Sequence, residues 1–313
     1  MGRSQVPPLR PALRPGVQGQ IREHVFSKPF RQLGINTVVL REDFFSSFQT
    51  TSSKLSILMG MDSFCYAITD YQNRISFACR MSGVQTGNPP FLESLHREHP
   101  YLFFPFLKTA IAFALPQYAL VPDRLFIGQE AAHYLRHGNI LVADAQTLVD
   151  ALPEIRARRV YAVPRSLLVW VQGTFPTAKT AHLHSALLPL FRTQAQGTGK
   201  FLYGHIGEEG MSVFLFEHQN LILENRFECR HSGDFLYYLL LVCQQLKVPA
   251  RDVALFVSGA ITEDSELSRL LHEYFSRVGF LQMGEAAQFG PQAARYPVHY
   301  FNDLLAIGCL TET

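Results

Sequence analysis

Three turns in this sequence carry the residue types that a phosphate cradle requires. LSILMGMDSF (55–64) places Gly60 and Ser63 around a bend, and YGHIGEEGMS (203–212) does the same with Gly207 and Gly210. In LFVSGAIT (255–262), Ser258 and Gly259 close an apolar run. Glycine lets the main chain approach an anion closely, and successive N–H groups together with a hydroxyl can surround it. These six residues are the candidate nucleotide-binding positions. The accompanying metal chemistry needs carboxylates on the strands that lead into such turns, where they hold Mg²⁺. The strand SILMG carries none, and Asp62 lies in the bend itself. Gly204 or His205 stands where the second acid is needed, while Glu208 and Glu209 at the turn tip repel phosphate. No cofactor is therefore expected, with ATP and Mg²⁺ as the alternative.

Other constellations offer less. GTGK (197–200) has the look of the end of a P-loop, but Gln194 stands at the required glycine and Phe201 at the required Ser/Thr. His182 and His184 would share a face of a strand, and His133 and His137 a face of a helix. Both spacings suit a metal, yet no cysteine or H-E-x-x-H pattern accompanies them, so partly exposed histidines are expected and no metal site. A two-metal nuclease needs acids on central strands, and neither SILMG nor ALFVS has one. There is no G-x-S-x-G elbow, and Ser258 has no readable His or Asp partner. No catalytic residue is expected.

The elements that must position these turns repeat. SILMG, SFCYAITD and NRISFACR read as three short strands, followed by a helix at FLESLHREHPYLFF and a strand in TAIAFALPQYALV. KFLYGHIG, MSVFLFEH and LILENRFE are again three strands, followed by a helix at SGDFLYYLLLVCQQL, the apolar strand DVALFVSG and a helix at TEDSELSRLLHEYF capped by Thr262. DYQNRIS returns as EHQNLIL at an offset of 147, and an offset of 144 pairs AIAFA (110–114) with ALFVS (254–258). One unit laid down twice explains this order. Three antiparallel strands, a helix, a parallel strand and a helix describe a ribonuclease-H-like unit. Two in tandem describe an α/β chain of the actin-like ATPase fold with mixed sheets. The expected division is a basic tail over 1–34, a first domain over 35–196 and a second over 197–313.

Composition agrees with a globular protein: 313 residues, 47% apolar and 17% charged. Residues 1–41 hold seven Lys/Arg against the single acid Glu23, leaving the remainder mildly acidic. Nucleic acid is thus conceivable only through the tail, and a basic patch cannot be read from the rest. The apolar stretch 101–121 contains Lys108, Pro105 and Pro116, which argues against a membrane span. With no signal-peptide pattern and five cysteines lacking a C-x-x-C pair, a reducing cytoplasm is expected.

The segments ALVPDRLF (119–126), TFPTAKTAHLHSALL (174–188), ENRFECRHSGDFLYYLLLVCQQL (224–246), LFVSGAITEDSELSRLLHEYF (255–275) and HYFNDLLA (299–306) resemble a bacterial family known as domain of unknown function 3822. The resemblance covers about residues 35–310 and implies the actin-like ATPase fold without implying a reaction. The reading that follows is a cytoplasmic, non-catalytic protein that binds or scaffolds an unidentified protein partner, its oligomeric state open. The alternative is an ATP-binding protein or ATPase with a divergent site between its halves.

Overall fold

The computed structural model describes residues 36–312 apart from 43–44, 46, 137–143, 209, 282 and 284–289. The 1–34 tail, Glu209 and His137 lie outside the described residues. In chain order the elements begin with β1 (Asn36–Arg41), β2 (Lys54–Gly60), β3 (Ser63–Thr69), β4 (Ile75–Ser82), α1 (Pro89–Glu98) and β5 (Lys108–Ala114). There follow β6 (Tyr118–Pro122), α2 (Ala131–Tyr134), β7 (Ala145–Leu152), β8 (Ala157–Pro164), α3 (Arg165–Thr174), β9 (Lys179–His182) and α4 (Leu183–Gln194). The second half holds β10 (Lys200–Gly207), β11 (Gly210–Glu217), β12 (Asn220–Phe227), α5 (Ser232–Gln245), β13 (Val253–Gly259), α6 (Glu266–Tyr274), β14 (Arg277–Phe280) and α7 (Asn302–Cys309).

The sheets are ordered β1-β4-β3-β2-β5-β9 and β12-β11-β10-β13-β14, with a separate sheet β6-β8-β7 inserted between β5 and β9 of the first. Leaving out the added edge strand β1, both large sheets have the same order and the same directions. Register makes the duplication quantitative. Adding 147 to both members of the β2–β3 pair Leu55/Ile68 yields the β10–β11 pair Leu202/Leu215. Both sheets carry a β-bulge at the matched step, between Ile68 and Thr69 and between Leu215 and Phe216. The parallel pairs correct one detail. Met59 faces Phe113 and Ile206 faces Gly259, so β5 matches β13 at an offset of 146 and not 144. A slip of two residues preserves which side chains face inward, so the hydrophobic pattern could not detect it.

The layers follow from alternation along the strands. In β5, Ile111 and Phe113 point to a core shared with Leu92 and Leu95 of α1 and with Leu167, Leu168 and Val171 of α3. Ala110 and Ala112 point the other way, with Ala67 and Ala78, into the central core. Those small residues let α7 lie close against the first sheet, where a Cβ on Gly308 would sit 3.1 Å from Ser56 Oγ. The same central core takes Leu187 and Phe191 of α4 and Tyr203, Phe214 and Phe216 of the second sheet. The far face of the second sheet packs on α5 and α6 through Leu239, Val242, Leu267 and Leu271. One cap position differs from expectation. Ser265, not Thr262, accepts the N–H of Ser268 at the start of α6, and α5 opens with a reciprocal box between His231 and Asp234.

Candidate functional site

The two large sheets meet across a cleft beneath the β2–β3 and β10–β11 turns. A buried Arg80 rises into it from β4, a strand with no other charged residue, and meets the equally buried Asp303 in the first turn of α7. Arg80 Nη1 donates to Asp303 Oδ2 at 3.0 Å, and Nη2 donates to the other carboxylate oxygen and, at 2.9 Å, to the carbonyl of Tyr300. The guanidinium lies 4.8 Å from the centre of the Tyr300 ring, a cation–π contact. Burial alone would raise the Asp303 carboxyl, but Arg80 and the neighbouring His205 ring outweigh it and hold it well below the usual carboxylate range. His205, on β10, brings Nε2 to 3.6 Å from Asp303 Oδ2 and Nδ1 to 3.0 Å from Ser258 Oγ.

Three of the six candidate nucleotide-binding residues line the cleft. Ser63, Gly207 and Gly210 line it beside Arg80, His205, Glu208 and Asp303. Ser258 lies one step behind, paired with His205 across β10 and β13. Gly60 ends β2, and its carbonyl accepts from the hydroxyl of Thr86. Gly210 and Gly259 have φ of +132° and +85°, and a Cβ on either would come within 2.1 Å of a carbonyl oxygen, that of Phe227 or Ile206. Close main-chain packing therefore requires these two glycines. Gly207 has no such need, its nearest neighbour being 3.8 Å from an added Cβ.

Ser258, His205 and Asp303 stand in Ser-His-Asp order, which sequence spacing did not reveal, but His205 Nε2 is 3.6 Å from Asp303 Oδ2, beyond hydrogen-bond distance. All three are at most 1% exposed, so the Ser258 hydroxyl is closed to a substrate in this structure. The Mg-nucleotide chemistry of the fold fits poorly as well. The free space among the cleft residues is about 40 Å³, against roughly 300 Å³ or more for small-molecule pockets. The Arg80 guanidinium already neutralises the Asp303 carboxylate, and no group of three His, Cys, Asp or Glu that could hold a metal occurs among the described residues.

A second polar cluster crosses between the halves. Arg159, on β8 and fully buried, donates to Ser185 Oγ at 2.7 Å and to the Glu224 carboxylate on β12. Ser185 in turn donates to Asp150, which also accepts the backbone N–H of His182 at 2.8 Å. The bulge in β12 turns Glu224 onto the face that meets β8; without the extra residue it would point away. His182 and His184 are 1% exposed, not partly exposed, and do not share a strand face: His182 ends β9 and His184 lies in the first turn of α4. Burial pushes the His182 ring down to about 3 and His184 well below its ordinary value, so both are neutral.

The comparisons agree with this architecture. The model of a family described as "Protein of unknown function (DUF3822)" matches residues 42–278. The chain belongs to the DUF3822 family. Among solved structures, a Bacteroides thetaiotaomicron protein "with actin-like ATPase fold and unknown function" is 19% identical, with a TM-score of 0.68 over 85% of this chain and 99% of that one. A chain of the "PilM-PilN type IV pilus biogenesis complex" is 13% identical, with a TM-score of 0.53 over 82% and 98%. At these identities the likeness establishes the fold: this DUF3822 chain is an α/β protein with the actin-like ATPase fold. No curated protein matches it. No helix among the described residues is long and apolar enough to cross a membrane.

Proposed function

We propose that this DUF3822 protein is a non-catalytic binding or scaffolding protein, in which the actin-like cleft has become a structural joint and the task is to hold a protein partner. The observation that carries the reading is the Arg80–Asp303 pair, which fills the cleft where phosphate and metal would have to enter. A structural neighbour of the same fold comes from a complex with a protein partner, which is in keeping with this use. The proposal retains the partition into a first domain over 35–196 and a second over 197–313, with the reservation that α7 packs on the first sheet. It also retains a cytoplasmic setting.

The rival reading, a divergent ATP site, draws on the convergence of Ser63, Gly207 and Gly210 on the cleft. Thermal melting with and without millimolar Mg-ATP separates the two. A ligand at 100 times its Kd stabilises by about 2.7 kcal/mol, which corresponds to about 5 °C for a chain of this size. No shift is expected. A shift of that size, lost in Gly207→Ala, where an added Cβ has space, would replace scaffold with nucleotide-binding protein.

A further inference from the structure

A row of rings runs along the seam between α1 and α3, on the side of the first sheet away from the cleft. His96 stacks on Phe103 with ring centres 3.6 Å apart, Phe103 stacks on Phe175 at 6.3 Å, and Trp170 meets Phe175 edge-on at 5.8 Å. Phe103, Phe175 and Trp170 are half-buried, each packing on the core beneath while leaving part of its ring at the surface. Beside them α3 presents Val169, 60% exposed, and Gly173, one helical turn further on the same face.

A glycine inside a helix is destabilising relative to alanine, because it gives up more conformational freedom. Nothing within the chain requires one here. Gly173 lies in the last turn of α3 without a positive φ, and an added Cβ would meet nothing within 4 Å. What a bare helix surface offers is close approach by another main chain.

We infer that this strip seats a segment of a partner protein that sets apolar side chains on the rings and carboxylates on the rim, its main chain passing over Gly173. The inference rests on the scaffold reading and gives its partner a place and a chemistry. The rim selects the occupant. Lys108 and Lys179 begin the neighbouring strands β5 and β9, just beyond Phe103 and Phe175, and Arg165 lies one turn before Val169; all three are exposed. Arg97 and Glu98 pair with each other at 3.2 Å, which sets Glu93 of α1 against three cations. A basic rim favours carboxylates. The arginine-rich tail of this chain carries the wrong sign for it, and a second copy docking through the same strip would set two basic rims against each other. A bilayer, which moulds itself to any apolar surface, gains nothing from a glycine at 173.

Trp170 is the only tryptophan in the sequence, so its emission reports on the strip. The test pans a phage library of random dodecapeptides on the full chain and titrates Trp-free synthetic versions of the enriched peptides against it. Enriched peptides should combine Leu, Ile, Met or Phe with Asp or Glu, should change Trp170 emission saturably, and should bind more weakly as salt rises. Gly173→Gln, which fills the open position, should weaken binding at least about tenfold, with a melting temperature no lower than that of the parent. No enrichment, enrichment of peptides without acids, unaltered Trp170 emission, full affinity in Gly173→Gln or a lowered melting temperature would each overturn the inference. So would dimerisation of the chain, or its binding to phosphatidylglycerol vesicles, in place of peptide binding. A peptide bound elsewhere would leave the scaffold reading intact, and a nucleotide-induced melting shift would end that reading without touching the strip.

Discussion

Removing one partner of the Arg80–Asp303 pair leaves the other charge buried without compensation. Both side chains are at most 6% exposed, and Asp303 also accepts the N–H of Leu304 at 2.8 Å. Breaking such a pair from one side costs about 3–5 kcal/mol. With an unfolding entropy of about 2.1 cal/mol/K per residue over about 260 residues, the melting temperature of Arg80→Met or Asp303→Leu should fall by about 5–9 °C. The double variant removes both charges and leaves mainly the Tyr300 carbonyl and the Leu304 N–H without their partners. Its cost should be well short of the sum of the singles, with a coupling of at least about 2 kcal/mol. Urea denaturation of the four proteins at pH 7, analysed at a common slope, measures this directly. Singles that cost under about 1 kcal/mol, or a double equal to their sum, would refute the claim that this pair joins the halves.

Acid should unfold the protein early. His182 and His184 are neutral in the fold with depressed values, so the unfolded chain takes up protons first as pH falls below about 6.5. His182 and His184 should together contribute a decline of up to about 2.7 kcal/mol per pH unit, added to that of His99 and His299, which burial also lowers. His184→Gln should remove up to about 1.4 kcal/mol per pH unit from the slope of a urea midpoint series between about pH 6.5 and 5. Asp303 adds stability at neutral pH that is lost only as pH falls below the ordinary carboxylate range, whereas burial raises Asp150, whose protonation works in the opposite sense. Gly210→Ala and Gly259→Ala should each cost more than about 2 kcal/mol or abolish folding, while Gly207→Ala should stay within about 1 kcal/mol, as read by melting. Maleimide should label the exposed Cys309 within minutes and the buried Cys65, Cys79 and Cys243 only on unfolding, as followed by mass spectrometry.

The duplicated order of strands and helices was legible because each element announces itself locally, by alternation in NRISFACR or by helical spacing in SGDFLYYLLLVCQQL. The two-residue slip between β5 and β13 was invisible because it leaves every side chain on the same face. The candidate turn residues were also legible as types, since glycine and serine at bends are written in the chain. What they do there was not. Gly210 and Gly259 serve close main-chain packing, and a phosphate turn would use the same letter.

The charges that occupy the cleft lie 223 residues apart, and those that tie β8 to β12 lie 65 apart. An arginine inside the apolar run ISFACRMS was the one local signal, because a lone charge in a buried strand demands a partner. Naming Asp303 as that partner required the C-terminal helix to fold back on the first sheet. Local periodicity determines which residues face a core, because it depends on near neighbours in the chain. Which buried charge meets which depends on distant segments converging, and only the assembled tertiary structure decides that.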